Sequence, residues 1–146
     1  MQPQRNTQTA INEELETIDH KIIDGKLVAM KIRAEVAGRV DRLVEKGLRP
    51  KIASISVGDN SAVSVYIRNQ KNAAESVGID FDHLNLVASI GEDGLLEKIQ
   101  QLNASSSVTG IIIQRPIPDD ISIKKVQTAI NPCKDIEGMN PTSIGN

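Results

Sequence analysis

The apolar positions of this chain fall in short blocks whose period changes from one block to the next. Between residues 26 and 47, KLVAMKIRAEVAGRVDRLVEKG carries Val28, Ile32, Val36, Val40 and Val44 four apart. That spacing lines one side of a helix, and Gly47 can end it. KIASISVG, starting at Lys51, alternates instead and puts Ala53, Ile55 and Val57 on one face of a strand. SAVSVYIRNQKNAAESVGI returns to helical spacing and stops by Gly78, after which FDHLNL can form a second strand. GLLEKIQQL predicts a helix that buries Leu95, Leu96, Ile99 and Leu102. VTGIIIQ shows no alternation, as expected of a strand covered on both faces. ISIKKVQTAI supplies the last predicted helix. Strands separated by helices of this length imply an α/β fold, a parallel sheet wrapped by helices.

Before this pattern begins, MQPQRNTQTAINEELETIDH is polar and has no apolar h-region, and Glu13, Glu14 and Glu16 argue against an organellar transit peptide. Residues 1–20 therefore read as a tail or a short extra helix, and 21–146 as one domain. The length of 146 residues fits that division, and 39% apolar with 25% charged residues is an ordinary soluble composition. A formal net charge of -2 gives no reason to expect nucleic acid or an anionic membrane surface as partner. No apolar run approaches the ~18 residues of a membrane span. Cys133 is the single cysteine, which excludes an internal disulfide. With His20 and His83 as the only histidines, a zinc site is not supported. A reducing, cytoplasmic setting is the expectation. No G-x-G-x-x-G follows a strand and no G-x-x-x-x-G-K-[ST] occurs, so the chain carries no nucleotide-binding loop of its own. Gly91 and Gly94 in GEDG read as a turn before a helix.

Ligands of open parallel sheets bind outside the carboxyl ends of the strands. Three segments fall there: VGDNSA after the first strand, QRPIPDD after GIII, and NPCKDIEGMNP after the last predicted helix. Gln114 stands where a buried strand stops, just before Pro116 blocks further pairing. Lys134, Asp135 and Glu137 cluster in the third segment. Taken singly, a strand-end glutamine is often a backbone capper and a charged loop is often only solvated. Tyr66, the one tyrosine, lies four residues before Gln70 on the second helix, about 40° from it around the axis. Lys71 lies about 140° away, on nearly the opposite side, so it cannot stand in at the same place.

Together and in order, KIIDGKLVAMKIRAEV, SVGDN, VYIRNQKNAAESVGI, VTGIIIQRPIP and INPCKDIEGMNP resemble the catalytic domain of bifunctional methylenetetrahydrofolate dehydrogenase/methenyltetrahydrofolate cyclohydrolase. The resemblance runs from Lys21 to Asn146. It implies oxidation of 5,10-methylenetetrahydrofolate with NADP or NAD, then hydrolysis of the methenyl product. It further implies a folate cleft, a following Rossmann domain that holds the cofactor, and a homodimer. Carried over residue by residue, it makes Tyr66, Gln70 and Gln114 the catalytic positions, and Tyr66, Gln114, Pro116, Asp135, Glu137 and Gly138 the substrate contacts. Four positions depart from the family pattern, one of them Arg115, which stands at a leucine. Gln70 stands at the catalytic lysine, Val63 at a serine and Glu137 at an aspartate that holds the pterin edge. The scaffold is kept and the reactive centre altered, which puts cyclohydrolase activity in doubt. A divergent relative with another substrate, or a non-catalytic binding module, remains an alternative at this level.

Overall fold

The structure, a computed structural model, describes residues 23–59 and 61–145. The segment 1–20, expected as a tail or short helix, lies outside the described residues. Regular structure begins at Asp24, whose carboxylate accepts from the Lys26 and Leu27 N–H groups at 2.8 and 3.2 Å. This N-cap opens helix α1, Gly25–Val44. Gly47, at φ 76°, closes it. The Leu48 N–H reaches the Leu43 carbonyl and the Gly47 N–H the Val44 carbonyl, a paired closure that needs a residue tolerant of left-handed backbone. Among the described residues the apolar stripe of α1 is largely exposed. Of its five valine and isoleucine positions only Val40 is buried, while Ile32 is 56% exposed. Val40 packs where α1 passes Gly78, whose added Cβ would stand 3.1 Å from Val40 Cγ1.

Three parallel strands follow, β1 (Lys51–Val57), β2 (Asp80–Leu86) and β3 (Gly110–Ile113), in the order β2-β1-β3. The connections are α2 (Ser61–Glu75) from β1 to β2 and α3 (Gly91–Ala104) from β2 to β3. On one face Ala53, Ile55 and Val57 join Ile111 and Ile113 in a core shared with Leu95 and Ile99 of α3. On the other face Phe81 and Ile112 pack with Ile67 and Ala74 of α2. The unalternating Ile111–Ile113 run is therefore covered from both sides, as its composition requires. Each isoleucine or leucine so buried contributes roughly 1.5–3 kcal/mol.

Three local expectations need correction. GEDG is not a turn before a helix, because α3 begins at Gly91 and these four residues form its first turn. Glu92 and Asp93 suit that end of the helix dipole. Gly94 is demanded by space, since a Cβ there would lie 2.6 Å from Ile90 Cγ1. Leu95 and Ile99 are buried, whereas Leu96 and Leu102 are only half-buried at the edge of the core. Helix α4, Ile123–Ala129, is capped by Ser122 and tied to α3 by Glu92. The Glu92 carboxylate accepts from the Ser122 N–H at 2.8 Å and pairs with Lys125. It is not the last helix. A short α5, Pro141–Ile144, follows, started by the Asn140 side chain accepting from the Thr142 N–H at 2.8 Å. Four residues are too few to show a period, so this turn left no hydrophobic signal.

Candidate active site

The sheet face beneath α2 changes character along its length. Alternation places Ile52, Ser54 and Ser56 of β1 on it, beside Phe81, His83 and Asn85 of β2 and Ile112 with Gln114 of β3. Its amino-terminal half is apolar core and its carboxyl half is polar. Ser54, Ser56, His83 and Asn85 were not among the sequence-predicted site residues. The available signal was a polar residue at every inward strand position near the carboxyl ends.

Gln114 is the centre of this polar half. Its backbone N–H donates to the Ile55 carbonyl at 2.8 Å, extending the β3 ladder by one residue. Its side-chain Nε2 donates to Ser54 Oγ at 2.9 Å and to Gln70 Oε1 at 2.7 Å. Ser54 is fully buried and Gln114 nearly so, so this is an internal bridge from β1 through β3 to α2. Tyr66, one helical turn before Gln70, is 60% exposed. Together with Gln114, Arg115, Asp135, Glu137 and Met139 it lines a cleft of about 210 Å³. Lys71 is on the far side of α2, 3.7 Å from Glu75 and exposed.

The loop from Asn131 to Asn140 forms the opposite wall. Its register is set by structure rather than by ligand contacts. Lys134 Nζ donates to the Leu102 and Ser105 carbonyls at 2.8 and 2.6 Å, closing the end of α3. Asp135 bridges to Ile111 of β3. Its carboxylate accepts from the Asn140 N–H at 2.7 Å, the Met139 N–H at 3.1 Å and Ser143 Oγ at 2.9 Å. Burial pushes the Asp135 pKa up, but these bonds outweigh it and hold the group below the ordinary aspartate value. Glu137 goes the other way. Although the residue as a whole is exposed, desolvation raises its pKa, against the pull of the Ile113 N–H and the Arg115 charge, with Asp135 adding to the rise. Gly138, at φ 65°, makes the turn that brings the chain back to Met139.

The structure thus brings Tyr66, Gln114, Asp135 and Glu137 to one cleft, with Gln70 bonded to Gln114. Two expected contacts are not part of it. Pro116 borders a neighbouring cavity, and Gly138 shapes the loop without lining the cleft. Arg115, the residue before Pro116, lines the cleft instead. Chemically, the cleft offers an aromatic platform, the Gln114 amide with its fixed partners, the Arg115 guanidinium and a Glu137 carboxyl group with a raised pKa. Among the described residues no group of three or more His, Cys, Asp or Glu side chains could hold a metal ion. No described helix is long and apolar enough to cross a membrane.

Residues 23–137 match the family model of the tetrahydrofolate dehydrogenase/cyclohydrolase catalytic domain. The chain belongs to this family. A bifunctional protein FolD 2 of Mesorhizobium japonicum is 48% identical over 130 residues, covering 88% of this chain and 42% of that protein. A bifunctional protein FolD of Rhodobacter capsulatus is 42% identical over 128 residues, with 88% and 43% covered. The structure of a 5,10-methylenetetrahydrofolate dehydrogenase from the silkworm, Bombyx mori, superposes with a TM-score of 0.81 at 44% identity. The match covers 85% of this chain and 43% of the silkworm chain. A Trypanosoma brucei methylenetetrahydrofolate dehydrogenase-cyclohydrolase, solved with NADP and an inhibitor, gives 0.78 at 28% identity over 85% and 42% of the two chains. The chain therefore spans less than half the length of the relatives it matches, and the three-stranded parallel sheet with its helices is the fold of their catalytic domain.

Proposed function

We propose that this domain binds a reduced folate in the Tyr66 cleft, as the folate-binding part of a methylenetetrahydrofolate dehydrogenase whose cyclohydrolase activity is impaired. The observation that carries the reading is the 2.7 Å bond between Gln114 Nε2 and Gln70 Oε1, with Gln114 lining the same cleft as Tyr66 and Glu137. Where the family pattern has a lysine, this bridge holds an amide. Ring opening of a methenyl compound needs an acceptor for the proton of the attacking water and a donor for the departing nitrogen. A positioned acid/base contributes about 10²–10⁴-fold, and a carboxamide does not titrate near neutral pH. Dehydrogenation asks less of residue 70, because it depends on holding the folate in register with its redox partner. The Tyr66 ring and the Gln70 and Gln114 amides can do that. Glu137 serves the pterin edge with a carboxylate one methylene longer than the family aspartate.

The oxidant in this reading is NADP or NAD, and the described residues do not fit it. The turn from β1 to α2 has the single glycine Gly58 rather than a glycine-rich loop, and Asp59 puts a carboxylate where a pyrophosphate would approach. The cofactor is held outside these residues; a homodimer accompanies the reading as the family resemblance implies, and a reducing, cytoplasmic setting as the cysteine usage does. Calorimetric titration of this chain tests it. Tetrahydrofolate should bind, and NADP and NAD should show no micromolar affinity. Tight binding of either nucleotide, or no binding of folate, would overturn the assignment.

A further inference from the structure

A second cavity, of about 280 Å³, lies at the carboxyl ends of β1 and β2 and shares no lining residue with the Tyr66 cleft. A row of hydrogen-bonded side chains forms its polar side. Asn85 Nδ2 donates to Asp59 Oδ1 at 3.4 Å, Ser56 Oγ donates to Asn85 Oδ1 at 2.9 Å, and Ser56 Oγ lies 2.9 Å from His83 Nε2. The proton arrangement follows from the one group that only accepts. The Asp59 carboxylate turns the Asn85 amide nitrogen toward itself, so Asn85 Oδ1 faces Ser56. The single Ser56 hydrogen goes to that oxygen. His83 Nε2 must then be the donor to Ser56, which leaves Nδ1 as the acceptor of a neutral ring. Partial burial lowers the His83 pKa and keeps the ring neutral at pH 7.

Ser56, His83 and Asn85 stand at the polar carboxyl end of the face beneath α2, and Asp59 lies in the turn after β1; His83, Asn85 and Asp59 are open to solvent and Ser56 is half-buried. The remaining walls are apolar and include Val63 and Ile67 of α2 and Pro116. Among the described lining residues the one charged side chain is Asp59, and no side chain is cationic. Such a site rejects anions and suits a flat group with N–H donors along one edge. The paired N–H groups of an amidine match a carboxylate directly.

We propose that this cavity is a second ligand site, for a small planar cation of the amidine or protonated aminoheterocycle class. The donor edge lies on Asp59, and the ring lies between Val63, Ile67 and Pro116. Val63 and Pro116, which the family resemblance assigns to the folate site, form part of this cavity's wall, so the two sites adjoin; this one is tested without a folate. Benzamidine and its anionic counterpart benzoate, nearly equal in shape, are titrated separately into ¹⁵N-labelled protein. Benzamidine should give saturable shifts at Gly58, Asp59 and the Asn85 side-chain amide, leaving Tyr66 unmoved, with Kd about 10 mM or tighter, as fits a fragment of that size. Benzoate should give none. Asp59→Asn should weaken benzamidine about tenfold or more, the loss expected for a charge-assisted pair, and Ser56→Ala should weaken it less. Equal binding of benzoate, shifts confined to the Tyr66 cleft, no saturable shift, or full affinity in Asp59→Asn would each overturn the proposal.

Discussion

Replacing Gln70 with lysine reverses the hydrogen-bond polarity of the buried bridge. Gln70 Oε1 now accepts from Gln114 Nε2 at 2.7 Å, whereas a lysine ammonium can only donate. Gln114 must turn over to present Oε1. Ser54, which accepts from Nε2 at 2.9 Å, can follow because a hydroxyl donates as readily as it accepts. No bond is then lost. One neutral bond becomes charge-assisted, and its gain is offset by desolvating an ammonium at the cleft edge, so the net change in stability should be within about 1 kcal/mol. The catalytic effect should be far larger. A restored acid/base is worth about 10²–10⁴-fold in methenyltetrahydrofolate hydrolysis. Misplacement of the pterin by ~1 Å through Val63 and Glu137 could remove about 10² of that. The assay follows the absorbance decay of methenyltetrahydrofolate, corrected for spontaneous hydrolysis, with the unmodified protein, Gln70→Lys and Gln70→Ala. Robust hydrolysis by the unmodified protein that Gln70→Ala leaves intact would refute the reasoning. So would a Gln70→Lys variant that binds the compound and hydrolyses it no faster.

Two further outcomes concern the scaffold and the cleft wall. Ile99→Ala, at a fully buried position, should cost about 2–5 kcal/mol in urea denaturation, while Ile32→Ala on the exposed side of α1 should stay within about 0.5 kcal/mol. Glu137 holds its proton to higher pH in the folded chain than in the unfolded one, so it subtracts stability as pH rises from the ordinary glutamate value through its raised pKa. Glu137→Gln removes that slope, and its stability relative to the unmodified protein should climb across the window and then level off. A constant or falling difference would show that the carboxyl is not desolvated.

The parts of the fold that could be read from sequence are those where one local rule decides. Alternation put Ala53, Ile55 and Val57 on a single face, and the Ile111–Ile113 run announced a doubly covered strand. The four-residue step from Tyr66 to Gln70, with Lys71 on the other side, follows from helix geometry alone. What was not legible depends on partners distant in sequence. The stripe on α1 announced an apolar side but not how little of it the other described residues cover. Lys134 looked like a site charge in its loop, yet its ammonium is committed to the Leu102 and Ser105 carbonyls, 32 and 29 residues earlier. Asp135 likewise spends its carboxylate on Met139, Asn140 and Ser143, holding the loop that carries Glu137 into the cleft. Ser54 is polar in a strand core for a reason visible only once Gln114 lies beside it.

Tyr66 allows one direct measurement of whether the cleft is a folate site. Because it is the only tyrosine in the chain, protein labelled with ¹³C at tyrosine gives ring signals from this residue alone. Titration with tetrahydrofolate should shift those signals saturably, and Gln114→Ala should weaken the response about tenfold, the effect of losing the buried amide that holds Gln70 in place. Saturable folate binding that leaves the Tyr66 ring unmoved, or no binding at millimolar ligand, would contradict the assignment.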